Sequence, residues 1–178
     1  SVPVGCEGLL YLPYLMGERT PHLDADAKGV FFGITPRHTR AHFARAVMEG
    51  VSFSLLDCLQ ILREMGNSPR EIRIGGGGAK SNVVCQIAAD VFGLPVVRSQ
   101  THEACSIGSS MVAFVAKGVF ADFDEAARAM VHVKDTFRPN EKNHEIYHEI
   151  YEQAYRKIYP RLRPIYQKLI QVKRRIAQ

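Results

Sequence analysis

Ile72-Arg73-Ile74-Gly75-Gly76-Gly77-Gly78-Ala79-Lys80-Ser81-Asn82 is the stretch on which the fold turns. Glu71 to Ile74 reads as a short strand. Four glycines break it, and a helix starts near Ser81. That helix carries the stripe Val83, Ile87, Val91 and Phe92 and closes at Gly93. Glycines let the main chain take positive φ and come close to a flat or anionic ligand. A helix N-terminus adds unpaired N–H groups and partial positive charge. Gly76, Gly77, Gly78, Lys80, Ser81 and Asn82 are therefore candidate ligand-binding residues. Ser81 and Asn82 either cap the helix or hydrogen-bond a ribose or base. A plain strand-to-helix turn remains the competing reading. The loop is not a Walker A motif, since Gly-Lys-Ser/Thr is missing. It is not a dinucleotide fingerprint either, because Lys80 stands where the last glycine would fall.

Outward from this loop the chain reads as α/β. Gly8 to Gly17 is apolar, broken by Pro13, and reads as a strand leading into a loop. Gly29 to Thr35 reads as a second strand, stopped by Pro36. Thr39 is placed to cap a long helix that ends at Gly66. Its apolar stripe is read as Phe43, Val47, Val51, Leu55, Leu59 and Leu62. Leu94 to Arg98 is a strand whose Pro95 marks a strand start or a sheet edge. Glu103 to Lys117 is a small-residue helix suited to close packing. Asp122 caps a short helix through Met130, and Asn140 caps a longer one that Pro160 and Pro164 kink or restart. The whole reads as a partial sheet with several packed helices.

Composition sets the bounds. The 178 residues are 46% hydrophobic and 23% charged, ordinary globular usage. One domain is the expectation at this length. No apolar run approaches the ~20 residues of a membrane helix. Ser1 to Tyr14 lacks a basic leader region, so no signal peptide is read there. Cys6, Cys58, Cys85 and Cys105 are scattered without CxxC spacing and read as reduced thiols of a cytoplasmic protein. The net charge of +5 is uneven. From Gln153 to Gln178 there are eight Lys and Arg and no acid, while residues 1–152 carry a net −3. A solvated helix face is the plain reading of that tail; an acidic surface or nucleic acid is the alternative.

Two further constellations bear on chemistry. His144-Glu145-Ile146-Tyr147-His148 matches the HExxH zinc motif. The third-ligand positions hold Tyr151 and Ala154, and no acid follows Glu152. The reading is a surface helix face with Tyr147, Ile150 and Tyr151 inward, and no metal site. Gly17-Glu18-Arg19-Thr20-Pro21-His22 suits the edge of a polar ligand site and equally a self-paired loop. No catalytic residue is assigned.

Taken together, these residues resemble the FGGY carbohydrate kinases. Gly29-x-Phe31-x-Gly33-Ile34, then seven residues, then His42-Phe43-x-x-Ala46-Val47-Met48-Glu49 resembles that family's second signature. Pro13 to His22 resembles a loop of the xylulose kinase branch. Gly76 to Ser81, with Gln86, Ala89, Asp90, Gly93 and Pro95, resembles the adenosine motif, and Glu103, Ala104 and Gly108 the second connecting motif. The resemblance implies the C-terminal domain of a two-domain, actin-like ATPase (ribonuclease H-like) fold. It implies ATP with Mg2+ as cofactors, the Mg2+ ligands lying mainly outside this chain. It implies a ketopentose acceptor held by another domain, and ADP as product. The phosphate loop and catalytic aspartate are expected before Ser1, so this stretch alone is expected to be inactive. Asp90 is expected to be structural. A homodimer is among the expected assemblies; nucleic acid and membrane are not expected partners. The rival classes are a non-catalytic ATP-binding or interaction module, a kinase of another sugar or polyol, and a nucleic-acid binder acting through the basic tail.

Overall fold

The computed structural model describes residues 2–101 and 103–176. The last two residues of the basic tail lie outside them. The elements in chain order are β1 (Leu10–Leu12), β2 (Val30–Phe32), α1 (Arg40–Glu64), β3 (Ile72–Ile74), α2 (Asn82–Phe92), β4 (Val96–Ser99), α3 (Ala104–Ala116), α4 (Phe123–Met130), β5 (Val133–Phe137), α5 (Glu141–Ile150) and α6 (Arg156–Ile176). The chain forms two compact units. The first holds residues 1–68, 90–92 and 140–178; the second holds residues 69–89 and 93–139.

In the first unit β1 and β2 pair antiparallel, Leu10 opposite Phe32 and Leu12 opposite Val30. Behind Thr39, whose N–H is accepted by His42 Nδ1 at 3.2 Å, α1 runs for 25 residues. Its position was legible, but its inner face was not. Val47, Val51, Leu55 and Leu62 are exposed, whereas Ala46, Glu49, Gly50, Phe53, Leu56, Asp57 and Leu59 are buried. The reason is that the core side accepts two carboxylates. Gly50 lies so close to β1 that a Cβ would collide with the Tyr11 carbonyl oxygen.

Tyrosines on α5, on α6 and in the π turn between them meet those carboxylates, while Glu49 Oε2 stays buried without a hydrogen-bond partner among the described residues. Tyr147 OH donates to Glu49 Oε1 at 2.7 Å and accepts from Arg45 Nη2 at 2.9 Å, and Arg45 Nε donates to the same Glu49 oxygen at 2.7 Å. Tyr151 OH donates to Asp57 Oδ1 at 2.6 Å. Tyr155 OH bonds the Gly50 carbonyl at 3.1 Å, Tyr159 OH bonds Asp24 Oδ2 at 2.6 Å, and Tyr166 OH bonds the Lys28 carbonyl at 2.9 Å. Phe53 packs among the rings of Tyr147, Tyr151 and Tyr155. Residues four apart drift by roughly 40° per step around a regular α-helix. A π turn at Tyr151–Tyr155 takes up the extra residue, and all four tyrosines from 147 to 159 stay buried. The irregularity therefore falls before Pro160 rather than at it, and α6 continues through both Pro160 and Pro164. Pro160 has no N–H to donate to Arg156, the residue at which the widened turn ends.

The second unit is a three-stranded sheet in the order β3-β4-β5. β3 and β4 are parallel, Ile72 beside Val96 and Ile74 beside Arg98, with α2 as the crossover. β5 pairs antiparallel with β4, Arg98 opposite Asp135. β4 is thus central, and Pro95 marks its start, not an edge. β5 is a strand that sequence reading missed: Val133, Asp135 and Phe137 alternate, but the stretch is short and polar. Asp122 caps α4, its Oδ1 accepting from Glu125 N at 2.8 Å. α3 forms where expected, yet none of its residues is buried, so its small face is open rather than packed.

Candidate functional site

Of the six candidate residues, all in the second unit, five lie in the loop between β3 and α2 and Asn82 opens α2. Gly76 takes φ +74°, which accounts for glycine there. Gly77 is different: at φ −61° and ψ −39° its backbone is ordinary helical geometry. A Cβ on Gly77 would meet nothing within 4 Å, and one on Gly78 only Val84 Cγ1 at 3.8 Å. Neither strain nor packing calls for glycine at these two positions. Gly76, Gly77, Gly78 and Lys80 are all exposed, so bare main chain faces outward. Gly78–Lys80 forms one 3-10 turn, with Lys80 N donating to Gly77 O and Ser81 N to Gly78 O.

The division of labour at the helix start is resolved. Ser81 is the N-cap, its Oγ accepting from Val84 N at 3.4 Å. Asn82 is the first helical residue, is exposed, and does not act as the cap. Beneath the loop Ala79 is fully buried, and its carbonyl accepts from Arg98 Nη1 at 2.9 Å and from the Cys85 thiol at 3.5 Å. Burial pushes the Cys85 thiol pKa up, opposed by Arg98, so the group stays a protonated donor. Arg98 was not flagged from sequence; its partners lie 19 and 37 residues away along the chain.

Next to the loop a cavity of about 310 Å³ opens where β3 and β4 end. Ile74, Gly75, Ser99, Thr101, Ile107 and Met111 are among its lining residues. Ligands in parallel α/β sheets favour this end of the strands. Ser99, Thr101, Ile107 and Met111 escaped the sequence reading because they come from two separate elements.

The other constellations resolve into structure. Asp90 accepts from Asn140 N at 2.8 Å and Asn143 Nδ2 at 2.9 Å, tying the last turn of α2 to the start of α5. His144 Nδ1 bonds the Asp90 carbonyl at 2.8 Å, so the first histidine of the HExxH stretch belongs to the same junction. Among the described residues no three His, Cys, Asp or Glu side chains are grouped to hold a metal ion. Glu18 is self-paired: its carboxylate accepts from Thr20 N at 2.6 Å and His22 N at 2.7 Å. The His22 ring stacks on Tyr159 at 3.9 Å. The four cysteines are free thiols. No helix among the described residues is long and apolar enough to cross a membrane.

Residues 1–117 match the FGGY family of carbohydrate kinases, C-terminal domain. The chain belongs to that family. A xylulose kinase of Staphylococcus epidermidis is 42% identical over 147 residues, which is 83% of this chain and 30% of that protein. A glycerol kinase of Citrifermentans bemidjiense is 38% identical over 113 residues, 63% of this chain and 23% of that protein. The crystal structure of ligand-bound xylulose kinase from Lactobacillus acidophilus superposes with a TM-score of 0.86 at 33% identity, over 94% of this chain and 34% of that one. A gluconate kinase from the same organism gives 0.85, also at 33% identity and over the same shares of the two chains. The fold is accordingly that of the FGGY sugar kinases, the actin-like ATPase class, with helices packed on a small sheet. The chain spans 30% of the length of the xylulose kinase it matches in Staphylococcus epidermidis.

Proposed function

We propose that this chain is the adenosine-binding, C-terminal portion of an ATP-dependent carbohydrate kinase. D-Xylulose is the favoured acceptor, giving xylulose 5-phosphate and ADP. The observation that carries the reading is the outward-facing backbone at Gly77 and Gly78, where glycine serves no internal need. Exposed main chain without Cβ atoms lets a flat purine lie directly on it. Asn82 is placed to hydrogen-bond the nucleoside, and the amides of the first turn of α2 favour negative charge. ATP supplies the phosphoryl group. The work of this portion is binding and orientation, which dominates phosphoryl transfer.

We assign no catalytic base within the chain. Mg2+ usually binds through one or two carboxylates together with substrate phosphates. Its protein ligands would then lie mainly in the rest of the kinase, as the family resemblance implies. Two exposed apolar surfaces support a larger protein around this portion: α3, with no buried residue, and the Val47, Val51, Leu55 and Leu62 side of α1. The xylulose choice follows from relatives such as those of Staphylococcus epidermidis and Bacillus subtilis. The near-equal likeness to a gluconate kinase supports an acceptor chosen elsewhere than in this backbone. Such chemistry belongs in the cytoplasm, where ATP is available.

The test is Gly77→Val in the natural polypeptide that contains this chain. The KM for ATP is expected to rise at least about tenfold, ~1.4 kcal/mol, with the melting temperature unchanged. The KM for xylulose should move less. A normally folded variant with unchanged ATP KM would mean that the glycines are only a turn. The 178-residue chain alone is expected to release no ADP in the presence of ATP and xylulose.

A further inference from the structure

Arg98 is the buried cation beneath the candidate loop. It is 7% exposed, on the central strand β4. Its Nε donates to Asp135 Oδ2 at 2.8 Å and Nη2 donates to the same oxygen. Its guanidinium carbon sits over the Phe137 ring, 5.2 Å from the centroid. The third donor, Nη1, reaches Ala79 O at 2.9 Å. A guanidinium is costly to bury unless its donors are met, and its planar fork holds two partners at a fixed angle. Here one side of the fork is locked by β5 and the other grips the candidate loop.

The gripped carbonyl lies at the middle of the 3-10 turn Gly78–Lys80. The four preceding glycines have no side chains to anchor that turn, and a Cβ on Gly76 or Gly77 would touch nothing. The loop is therefore held from below, at Ala79, by Arg98 and by the Cys85 thiol. Holding a binding loop in its bound geometry before the ligand arrives lowers the ordering cost of binding. We propose that Arg98, oriented by Asp135, is a positioning residue for nucleotide binding: it sets the peptide planes of Gly77–Lys80 without itself touching the ligand. This rests on the adenosine reading of the loop.

The experiment is calorimetric titration of ADP into the natural polypeptide that contains this chain and into its variants, with melting curves and backbone amide spectra of each. Arg98→Met is expected to melt cooperatively, to weaken ADP about tenfold or more, and to broaden the amide signals of Gly76–Lys80. Arg98→Lys keeps a charge and a donor but loses the planar fork, and is expected to recover only part of the affinity, between that of Arg98→Met and that of the unsubstituted protein. Asp135→Asn, at a half-exposed position, is expected to weaken ADP about threefold with the fold intact. Weakened ADP with broadened Gly76–Lys80 amides at an unchanged melting temperature is the outcome that a purely structural role does not give. If Arg98→Met binds ADP normally while Gly77→Val is impaired, the proposal is overturned and the site stands. If neither variant changes binding, or the unsubstituted polypeptide binds no ADP, the adenosine reading falls and the proposal with it. Should Arg98→Met not fold, Asp135→Asn decides: unchanged affinity overturns the proposal.

Discussion

The two units of this chain solve the problem of buried polarity in opposite ways. All seven tyrosines lie in the first unit and none in the second. In the first, hydroxyls on α5, the π turn and α6 reach Glu49, Asp57, Asp24 and two carbonyls, so Glu49 and Asp57 sit inside an aromatic core. In the second, one arginine is buried at the sheet and serves a loop that is otherwise bare. The first arrangement is a scaffold whose tyrosine hydroxyls are bonded within the fold, with Glu49 Oε2 left buried and unpaired among the described residues. The second leaves main chain outward on a firm base, which is what a ligand site needs.

The largest expected difference between the units is at high pH. Tyr159 is pushed up to about 12 by burial and its bond to Asp24. Burial also raises Tyr147, Tyr151, Tyr155 and Tyr166 above the usual tyrosine value. In the unfolded chain tyrosine ionises near pH ~10. A raised pKa in the folded state gives stability that is complete below that point and lost as pH climbs through the folded value. Methyl signals of Leu56 and Leu59 should therefore collapse on titration above about pH 10, ahead of those of Ile87 and Val97. Simultaneous loss at both sets would break the contrast.

Phe53→Ala comes next in size. The ring is enclosed by three tyrosines, and its removal should lower stability by about 3–5 kcal/mol in calorimetry. A loss below ~1 kcal/mol would show that the hydroxyl bonds, not the aromatic packing, hold the first unit. The smallest effects sharpen the other side. Ser81→Ala removes the α2 cap and should reduce stability by ~1 kcal/mol with nucleotide affinity kept. Asn82→Ala should leave the melt within about 0.5 kcal/mol and weaken ADP instead. The reverse pattern in paired melts and titrations would return Asn82 to a capping role.

The same contrast explains what was legible in the sequence. Caps and glycine stops are local, so the bounds of α1, α2, α4 and the start of α5 were readable from Thr39, Ser81, Asp122, Asn140, Gly66 and Gly93. The inner face of α1 was not readable, because hydropathy assigns Glu49 and Asp57 to solvent and Val47, Val51 and Leu55 to a core. Only partners about 95 residues away reverse that assignment: Tyr147 for Glu49, Tyr151 for Asp57. The candidate loop stood out for the opposite reason: its residues are close together in the chain and its glycine run is visible without any distant partner. Arg98 escaped because the atom it serves is a main-chain carbonyl, which has no sequence signature.

One compositional fact gains an optical meaning from the placement of the tyrosines. The chain has no tryptophan, so its ultraviolet emission comes from tyrosine. With every tyrosine in the first unit, that emission reports on the scaffold alone and is dark to the loop unit. A tryptophan introduced at exposed Val83, one turn from the glycines, would give the second unit its own colour. Excitation at the red edge would then follow nucleotide arrival at the loop, while the tyrosine band serves as a built-in record of whether the scaffold has stayed folded.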